Sequence, residues 1–214
     1  MSKKIIWLLV IGLLGASGWW VWAQVSKPLP GEVVKDLGRN HVPDGTVVEY
    51  NSNPPTSGNH YADPTRVGVY TNPVSDGHLI HSLEHGYVIL SYNCLEKVSQ
   101  VSRVPRVSQA FAHEEELAAP ASATASARQE EATESAALTG VWESQECKDL
   151  VAKLTSVYEK KGKKKLIVIS RPSLDAKIAL TAWGRIEKLS GFDEARIIKF
   201  IDAFRDKGPE KTTE

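Results

Sequence analysis

The chain has 214 residues, and its 26 basic and 26 acidic side chains give a formal net charge of zero at pH 7. This length suits one ordinary domain with additional segments. The balanced charge provides no field that would attract a nucleic acid, so we expect no nucleic-acid partner. The single methionine is the initiator, which argues against a thioether site for copper(I).

An uncharged, apolar stretch from Ile5 to Ala23 follows Lys3 and Lys4. At about 1.5 Å per residue, a helix of this length crosses the ~30 Å hydrocarbon core of a bilayer. The lysines predict a cytoplasmic stub at residues 1–4 and an extracytoplasmic location for the remainder of the chain. We therefore expect an uncleaved, single-pass membrane anchor, with a cleaved signal peptide as the alternative.

After a predicted linker at residues 24–40, residues 41–210 predict one small extracytoplasmic domain. Ser144 and Asp193 are expected to cap two helices in the C-terminal half, because an apolar face with helical spacing follows each of them. The expected class is α+β, with a mixed or antiparallel sheet. Runs rich in apolar residues predict strands at Thr46–Tyr50, Tyr87–Tyr92, Leu166–Ile169 and Ile178–Trp183.

The composition changes between about residues 101 and 141, where Ala, Ser, Thr and Glu dominate and large apolar residues are few. Such a segment buries too little surface to offset the entropy lost on ordering. We predict that it is a disordered insertion within the domain.

Cys94 and Cys147 are the two cysteines of the chain. On the oxidising side of a membrane, two cysteines that are not arranged as C-x-x-C favour a structural disulfide. A metal-bound thiolate is the alternative in a reducing compartment.

The segment His81-Ser82-Leu83-Glu84-His85-Gly86 concentrates three potential metal ligands. A helical turn would place His81, Glu84 and His85 side by side, whereas an extended segment would align only the two imidazoles. Gly86 suits the left-handed residue that ends a short helix. The order H-x-x-E-H is also the inverted zinc-peptidase signature, in which Glu84 would activate water. The alternative is that both histidines are hydrogen-bonded polar residues at the start of a buried strand.

Histidines are concentrated in the N-terminal half, around predicted loops. His60 follows a loop rich in proline and glycine, and His78 is predicted to be a turn residue. Imidazole suits zinc, copper(II), nickel and iron, and such sites need three or four ligands. The sequence predicts one transition-metal ion, zinc or copper, with ligands drawn from His41, His60, His81, His85 and Glu84.

Three functions remain open from the residues. The first is a membrane-anchored metal-binding domain, and the second is a non-enzymatic envelope binding or assembly module with structural histidines. The third is a zinc-dependent hydrolase with Glu84 as the base. The sequence contains no G-x-S-x-G elbow, phosphate-binding glycine loop or dinucleotide fingerprint.

Four sequence blocks resemble a bacterial family, the domain of unknown function 3105. The blocks are Asn53-Pro54-Pro55-Thr56-Ser57-Gly58-x-His60-Tyr61, Gly68-Val69-Tyr70, His81 to Gly86, and Ala179-Leu180-Thr181-Ala182-Trp183-Gly184-Arg185. The resemblance covers most of the predicted domain except the insertion. It implies a single-domain protein, often anchored in the bacterial cytoplasmic membrane, and supplies no activity, substrate or cofactor. Asn59 departs from the family, in which proline is usual before the histidine.

Overall fold

The computed structural model describes residues 12, 13, 15, 17–19, 28–95 and 142–213. The chain divides into two units, Met1–Pro30 and Gly31–Glu214. In the first unit the described residues between positions 12 and 19 are helical. Among the described residues, no helix is long and apolar enough to cross a membrane.

Two predictions fall largely on other parts of the chain. Most of the predicted anchor, Ile5 to Ala23, and the whole predicted insertion at 101–141 lie outside the described residues. Both therefore stay predictions.

The second unit contains six strands and three helices among its described residues. In chain order these are β1 (Glu32–Val33), β2 (Gly68–Tyr70), α1 (Asp76–Glu84), β3 (Val88–Tyr92), α2 (Gln145–Lys160), β4 (Leu166–Ser170), β5 (Ile178–Ala182), β6 (Arg185–Leu189) and α3 (Glu194–Phe204).

The strands form one mixed sheet in the order β1-β6-β5-β3-β4-β2. Strand β4 is parallel to both of its neighbours, β2 and β3. The pairs β3–β5, β5–β6 and β1–β6 are antiparallel. The predicted α+β class and the mixed sheet are confirmed.

Strands β3 and β4 are buried along their whole length, because helices cover both faces of the sheet. Val88 and Leu90 belong to one apolar cluster with the buried faces of α2 and α3. Ile89, between them, belongs to a second cluster with Leu79 and Leu83 of α1. This alternation follows from the two-residue period of a strand, and it places α1 on the face opposite α2 and α3.

Both predicted helix caps are present. The Ser144 hydroxyl accepts a hydrogen bond from the Cys147 amide at the start of α2. The Asp193 carboxylate accepts one from the Arg196 amide at the start of α3. These side chains satisfy amides that have no partner within their own helix.

The predicted strand at Thr46–Tyr50 is wrong, because these residues are irregular and pair with no strand. Their alternation is nevertheless real: Val47 is exposed, whereas Val48 and Tyr50 are half-buried. Alternation of this kind reports which side of a segment packs on the protein, and it does not require a hydrogen-bonded neighbour.

Three strands, β1, β2 and β6, lie where no strand was predicted. Strand β6 follows β5 after only Trp183 and Gly184, and Gly184 has φ +64°. A two-residue connection with a residue in the left-handed region is the usual β-hairpin geometry. Strand β1 falls within residues 24–40, where a linker was expected, and pairs with β6.

The chain after α3 runs back along the end of α1. The Asp206 amide donates to the Gly86 carbonyl at 2.9 Å, and the Glu210 amide donates to the Glu84 carbonyl at 3.0 Å. Gly86 has φ +81°, as expected for a residue that ends a helix. A Cβ atom on Gly208 would overlap the Glu84 carbonyl oxygen and the Gly86 amide. The tail therefore needs glycine at position 208.

Gly208→Ala should lower the free energy of unfolding by about 1–3 kcal/mol, because the new methyl group forces the tail off α1. The melting temperature of the protein measures this effect. Gly191→Ala is the matched control, since no atom lies within 4 Å of its added Cβ. Equal melting temperatures for the two variants would contradict the close packing of the tail.

Cys94 and Cys147 lie at disulfide distance, with Cα atoms 5.4 Å apart and a sequence separation of 53 positions. Closing a loop of this length is worth about 4 kcal/mol in the chain-entropy model. We predict no reactive thiol in denatured, non-reduced protein and a lower melting temperature after reduction. Two reactive thiols before reduction would contradict the bond.

Candidate metal centre

The loop that carries His60 is held from two sides. Its Thr56 and Ser57 are fully buried. The Thr56 carbonyl accepts a hydrogen bond of 3.1 Å from the amide of Gly184, which lies in the β5–β6 turn. The Ser57 hydroxyl accepts one of 3.0 Å from the Leu37 amide. A polar loop can be buried in this way because the Thr56 carbonyl and the Ser57 hydroxyl have partners.

Gly58 and Tyr50 fix the last turn before His60. Gly58 has φ +128°, and a Cβ atom there would lie 3.1 Å from the Tyr50 ring. The Tyr50 hydroxyl donates to the Asn59 carbonyl at 2.9 Å. Burial, with smaller contributions from neighbouring Asp76 and Tyr61, raises the pKa of Tyr50 to about 12. The hydroxyl therefore stays protonated and remains a donor.

Backbone hydrogen bonds hold the segment that carries His41 beside the segment that carries His60. The Val42 amide donates to the His60 carbonyl at 2.8 Å, and the His60 amide donates to the Asn40 carbonyl at 3.0 Å. This parallel bridge joins residues 41 and 60. It brings the centroids of the two imidazole rings to 4.9 Å, although His41 itself is exposed.

Helix α1 supplies His81 and Glu84 and ends at His85, its C-cap residue. The segment is therefore helical, which is the alternative that places Glu84 beside the imidazoles. The His81 ring centroid lies 5.1 Å from that of His60 and 4.9 Å from that of His41. Three distant parts of the sequence thus meet at one point.

One donor atom from each of His41, His60, His81 and Glu84 lies within 4.8 Å of the others. We call these four residues the inner group. Ligand atoms around a tetrahedral zinc ion lie about 3.4 Å apart, because each Zn–N bond is about 2.1 Å long. The inner group can close on one ion with modest side-chain adjustment.

Two atoms of the inner group are buried without a hydrogen-bond partner: His60 Nε2 and Glu84 Oε2. They lie only 2.9 Å apart, yet they are not aligned as donor and acceptor. Leaving buried polar atoms unsatisfied costs about 1–3 kcal/mol for each group. A cation between them would satisfy both.

The tautomers of two histidines follow from their partners. Nδ1 of His60 lies 2.8 Å from the Gly58 carbonyl, and Nδ1 of His81 lies 2.8 Å from the Tyr61 carbonyl. A carbonyl oxygen accepts only, so each Nδ1 carries the proton and each neutral ring has its lone pair on Nε2. Metal-binding histidines are commonly oriented by this kind of Nδ1 hydrogen bond.

His81 is held in the neutral form that a metal requires. Burial lowers the pKa of His81, and the neighbouring imidazoles of His85, His60 and His41 lower it further. The hydrogen bond to the Tyr61 carbonyl acts in the opposite direction but is outweighed. A neutral imidazole at neutral pH is a ligand, whereas an imidazolium is not.

His85 falls in a second set of donors, formed by His81, His85 and Glu210. We call these three residues the outer group. His85 Nε2 lies 3.1 Å from His81 Nε2 and 3.7 Å from a Glu210 carboxylate oxygen. The predicted five ligands therefore divide into two groups that share His81. His78 lies apart from both, with Nδ1 2.7 Å from the Asp63 carbonyl.

Sequence reasoning missed two charged residues beside the cluster. Arg39 Nη1 lies 3.6 Å from Glu84 Oε1, and Glu210 joins the outer group. Arg39 precedes His41 by two residues, a spacing that places both on one side of an extended segment. No sequence pattern links Glu210 to His85, because the tail that carries it follows α3.

Four surface clefts formed by the described residues lie away from the cluster. The larger two have volumes of about 690 and 750 Å³, and no histidine lines any of the four. None of these clefts can serve the cluster as a substrate pocket.

Comparison with known proteins identifies the family. The family described as protein of unknown function (DUF3105) matches residues 41–145 and 134–214. No curated protein and no solved structure matches the chain. The match includes every residue of the inner and outer groups, and the chain belongs to the DUF3105 family.

Proposed function

We propose that the protein binds one divalent transition-metal ion through His60, His81 and Glu84, with His41 as the fourth ligand. The observation that carries the proposal is the pair of buried atoms, His60 Nε2 and Glu84 Oε2, which lie 2.9 Å apart without a hydrogen bond. A neutral imidazole lone pair and a carboxylate at this distance repel each other. A metal ion bound to both atoms, or a proton on Nε2, removes the repulsion, and the neighbouring imidazoles favour the metal ion.

The donor set favours zinc or copper(II). Three imidazoles and one carboxylate are ligands that both ions accept. Both cysteines are in the disulfide, so thiolate ligands are not available.

The stoichiometry follows from His81. Its Nδ1 proton is donated to the Tyr61 carbonyl, so a single lone pair, on Nε2, serves the inner and the outer group. One lone pair binds one ion. The two groups therefore offer alternative positions, and the protein takes one ion rather than two.

The position of Glu84 favours a ligand over a catalytic base. One of its carboxylate oxygens lies beside His60 and the other beside Arg39. In the peptidase arrangement both histidines of H-x-x-E-H bind the same ion, whereas here His81 and His85 share only the outer group. Metal binding or handling accounts for this geometry better than hydrolysis does.

The cellular setting of this function is part of the proposal. The apolar stretch from Ile5 to Ala23 after two lysines supports a bacterial cytoplasmic-membrane anchor. The Cys94–Cys147 pair supports an oxidising, extracytoplasmic environment for the domain.

A structural role for the histidines is the second candidate. The observation that favours it is the 3.1 Å contact between Nε2 of His81 and Nε2 of His85, a hydrogen bond that needs no metal. Under this alternative the domain is an envelope binding or assembly module. The two candidates differ in what the loss of Glu84 does.

Elemental analysis of the full-length chain, purified without chelator, should find about one equivalent of zinc or copper. His60→Ala should lose the metal, because it removes a fully buried ligand. His78→Ala is the control and should keep it, since His78 lies outside both groups. Equal metal content in the two variants would exclude the inner group as the site.

Glu84→Gln separates the two candidates by melting temperature. Without metal, the variant should melt no lower than the wild type, because it removes a buried charge that faces the His60 lone pair. Added zinc at about a hundred times its dissociation constant should stabilise the wild type by about 2.7 kcal/mol, and the variant far less. A metal-free variant that melts several degrees lower, with no effect of zinc on the wild type, would support the structural role instead.

A further inference from the structure

Arg39 borders the inner group on its solvent side. Residues 38–42 pair with residues 58–60 in parallel, through the hydrogen bonds from Gly58 to Gly38 and from His60 to Asn40. Alternate residues of such a segment point to the same side, so Arg39 and His41 both face the cluster. Some 57% of the Arg39 side chain is exposed, against 5% for Glu84.

Metal binding changes the charge at this position. In the metal-free protein the guanidinium of Arg39 faces the carboxylate of Glu84. A divalent ion, one carboxylate and one guanidinium, surrounded by neutral imidazoles, leave two positive charges uncompensated. Such an excess, next to solvent, attracts anions.

We propose that the metal-loaded centre binds a small oxyanion, a carboxylate or a phosphate, between the ion and Arg39. This inference rests on the metal binding proposed above. One oxygen of the anion adds to the ion as a fifth ligand. A second oxygen accepts a charge-assisted hydrogen bond from the guanidinium of Arg39.

The surroundings limit the ligand to a small one. The ion would be enclosed by His60, His81 and Glu84, which are 0%, 5% and 3% exposed. Its open side is the one bordered by His41 and Arg39, and the four clefts described above are lined by neither residue. Since three of the four proposed ligands are buried, the ion is approached from this side, and a small carboxylate or phosphate group needs only this side.

The test uses the full-length chain loaded with one equivalent of cobalt(II), whose visible absorption reports each change of ligand. Phosphate and acetate are titrated separately, so that the response shows which oxyanion is preferred. Chloride is the control ligand, because it binds a metal ion but has no second atom that could accept a hydrogen bond from Arg39.

Arg39→Gln should lower the affinity for the preferred oxyanion by at least about tenfold, while cobalt binding is retained or becomes tighter. Arg39→Lys keeps the charge but loses the planar guanidinium, so its oxyanion affinity should lie between those of the wild type and Arg39→Gln. Arg196→Gln is the control variant. Arg196 pairs with Glu187 and lines a cleft that no residue of the inner group lines, so its loss should leave anion affinity unchanged.

Each alternative outcome has its own meaning. A cobalt-loaded wild type that responds to neither oxyanion, or that responds equally with and without Arg39, overturns the anion site and leaves the metal site intact. Loss of cobalt binding in Arg39→Gln would also overturn it, because Arg39 would then support the metal shell. Failure of the wild type to take up cobalt would overturn the metal site itself.

Discussion

The buried contact between His60 and Glu84 is the constraint around which this part of the protein is arranged. The His60 imidazole is fully buried, and its Nε2 lies 2.9 Å from a Glu84 carboxylate oxygen without an aligned hydrogen bond. A fold tolerates such a contact only when something compensates it. Under the proposal, a metal ion bound to both atoms provides this compensation, and backbone carbonyls at Nδ1 orient the rings of His60 and His81 for it.

The fold supplies the rigidity that this arrangement needs. Helix α1 lies on one face of a mixed sheet whose other face is covered by α2 and α3. The loop before His60 is fastened to the β5–β6 turn, and the C-terminal tail packs on the end of α1 through Gly86 and Gly208. Ligands held by rigid elements lose little entropy when a metal binds, so these contacts support the proposed site.

Much of the fold follows from local sequence patterns. The caps Ser144 and Asp193 and the buried strands β3 to β5 follow from spacing and turn signals alone. The strand predicted at Thr46–Tyr50 was wrong, because alternating burial occurs both in strands and in irregular segments that pack on one side. Strand β1 has only two residues and owes its existence to its partner β6. No local pattern predicts a partner that is distant in sequence.

The candidate site was predictable in its ligand types but not in its grouping. His60 stood out by its loop, and His81 and Glu84 by their spacing in H-x-x-E-H. The division into inner and outer groups depends on distances between donor atoms. Glu210 enters only because the tail returns to α1. These contacts join residues that are distant in sequence, so they depend on tertiary packing and cannot be predicted from local sequence patterns.

Anomalous diffraction from crystals of the full-length chain grown with zinc would locate the ion in the proposed site. We expect one strong peak at the zinc absorption edge, between Nε2 of His60, Nε2 of His81 and the Glu84 carboxylate. A peak at any other position, or an empty inner group at saturating zinc, would contradict the proposed metal binding.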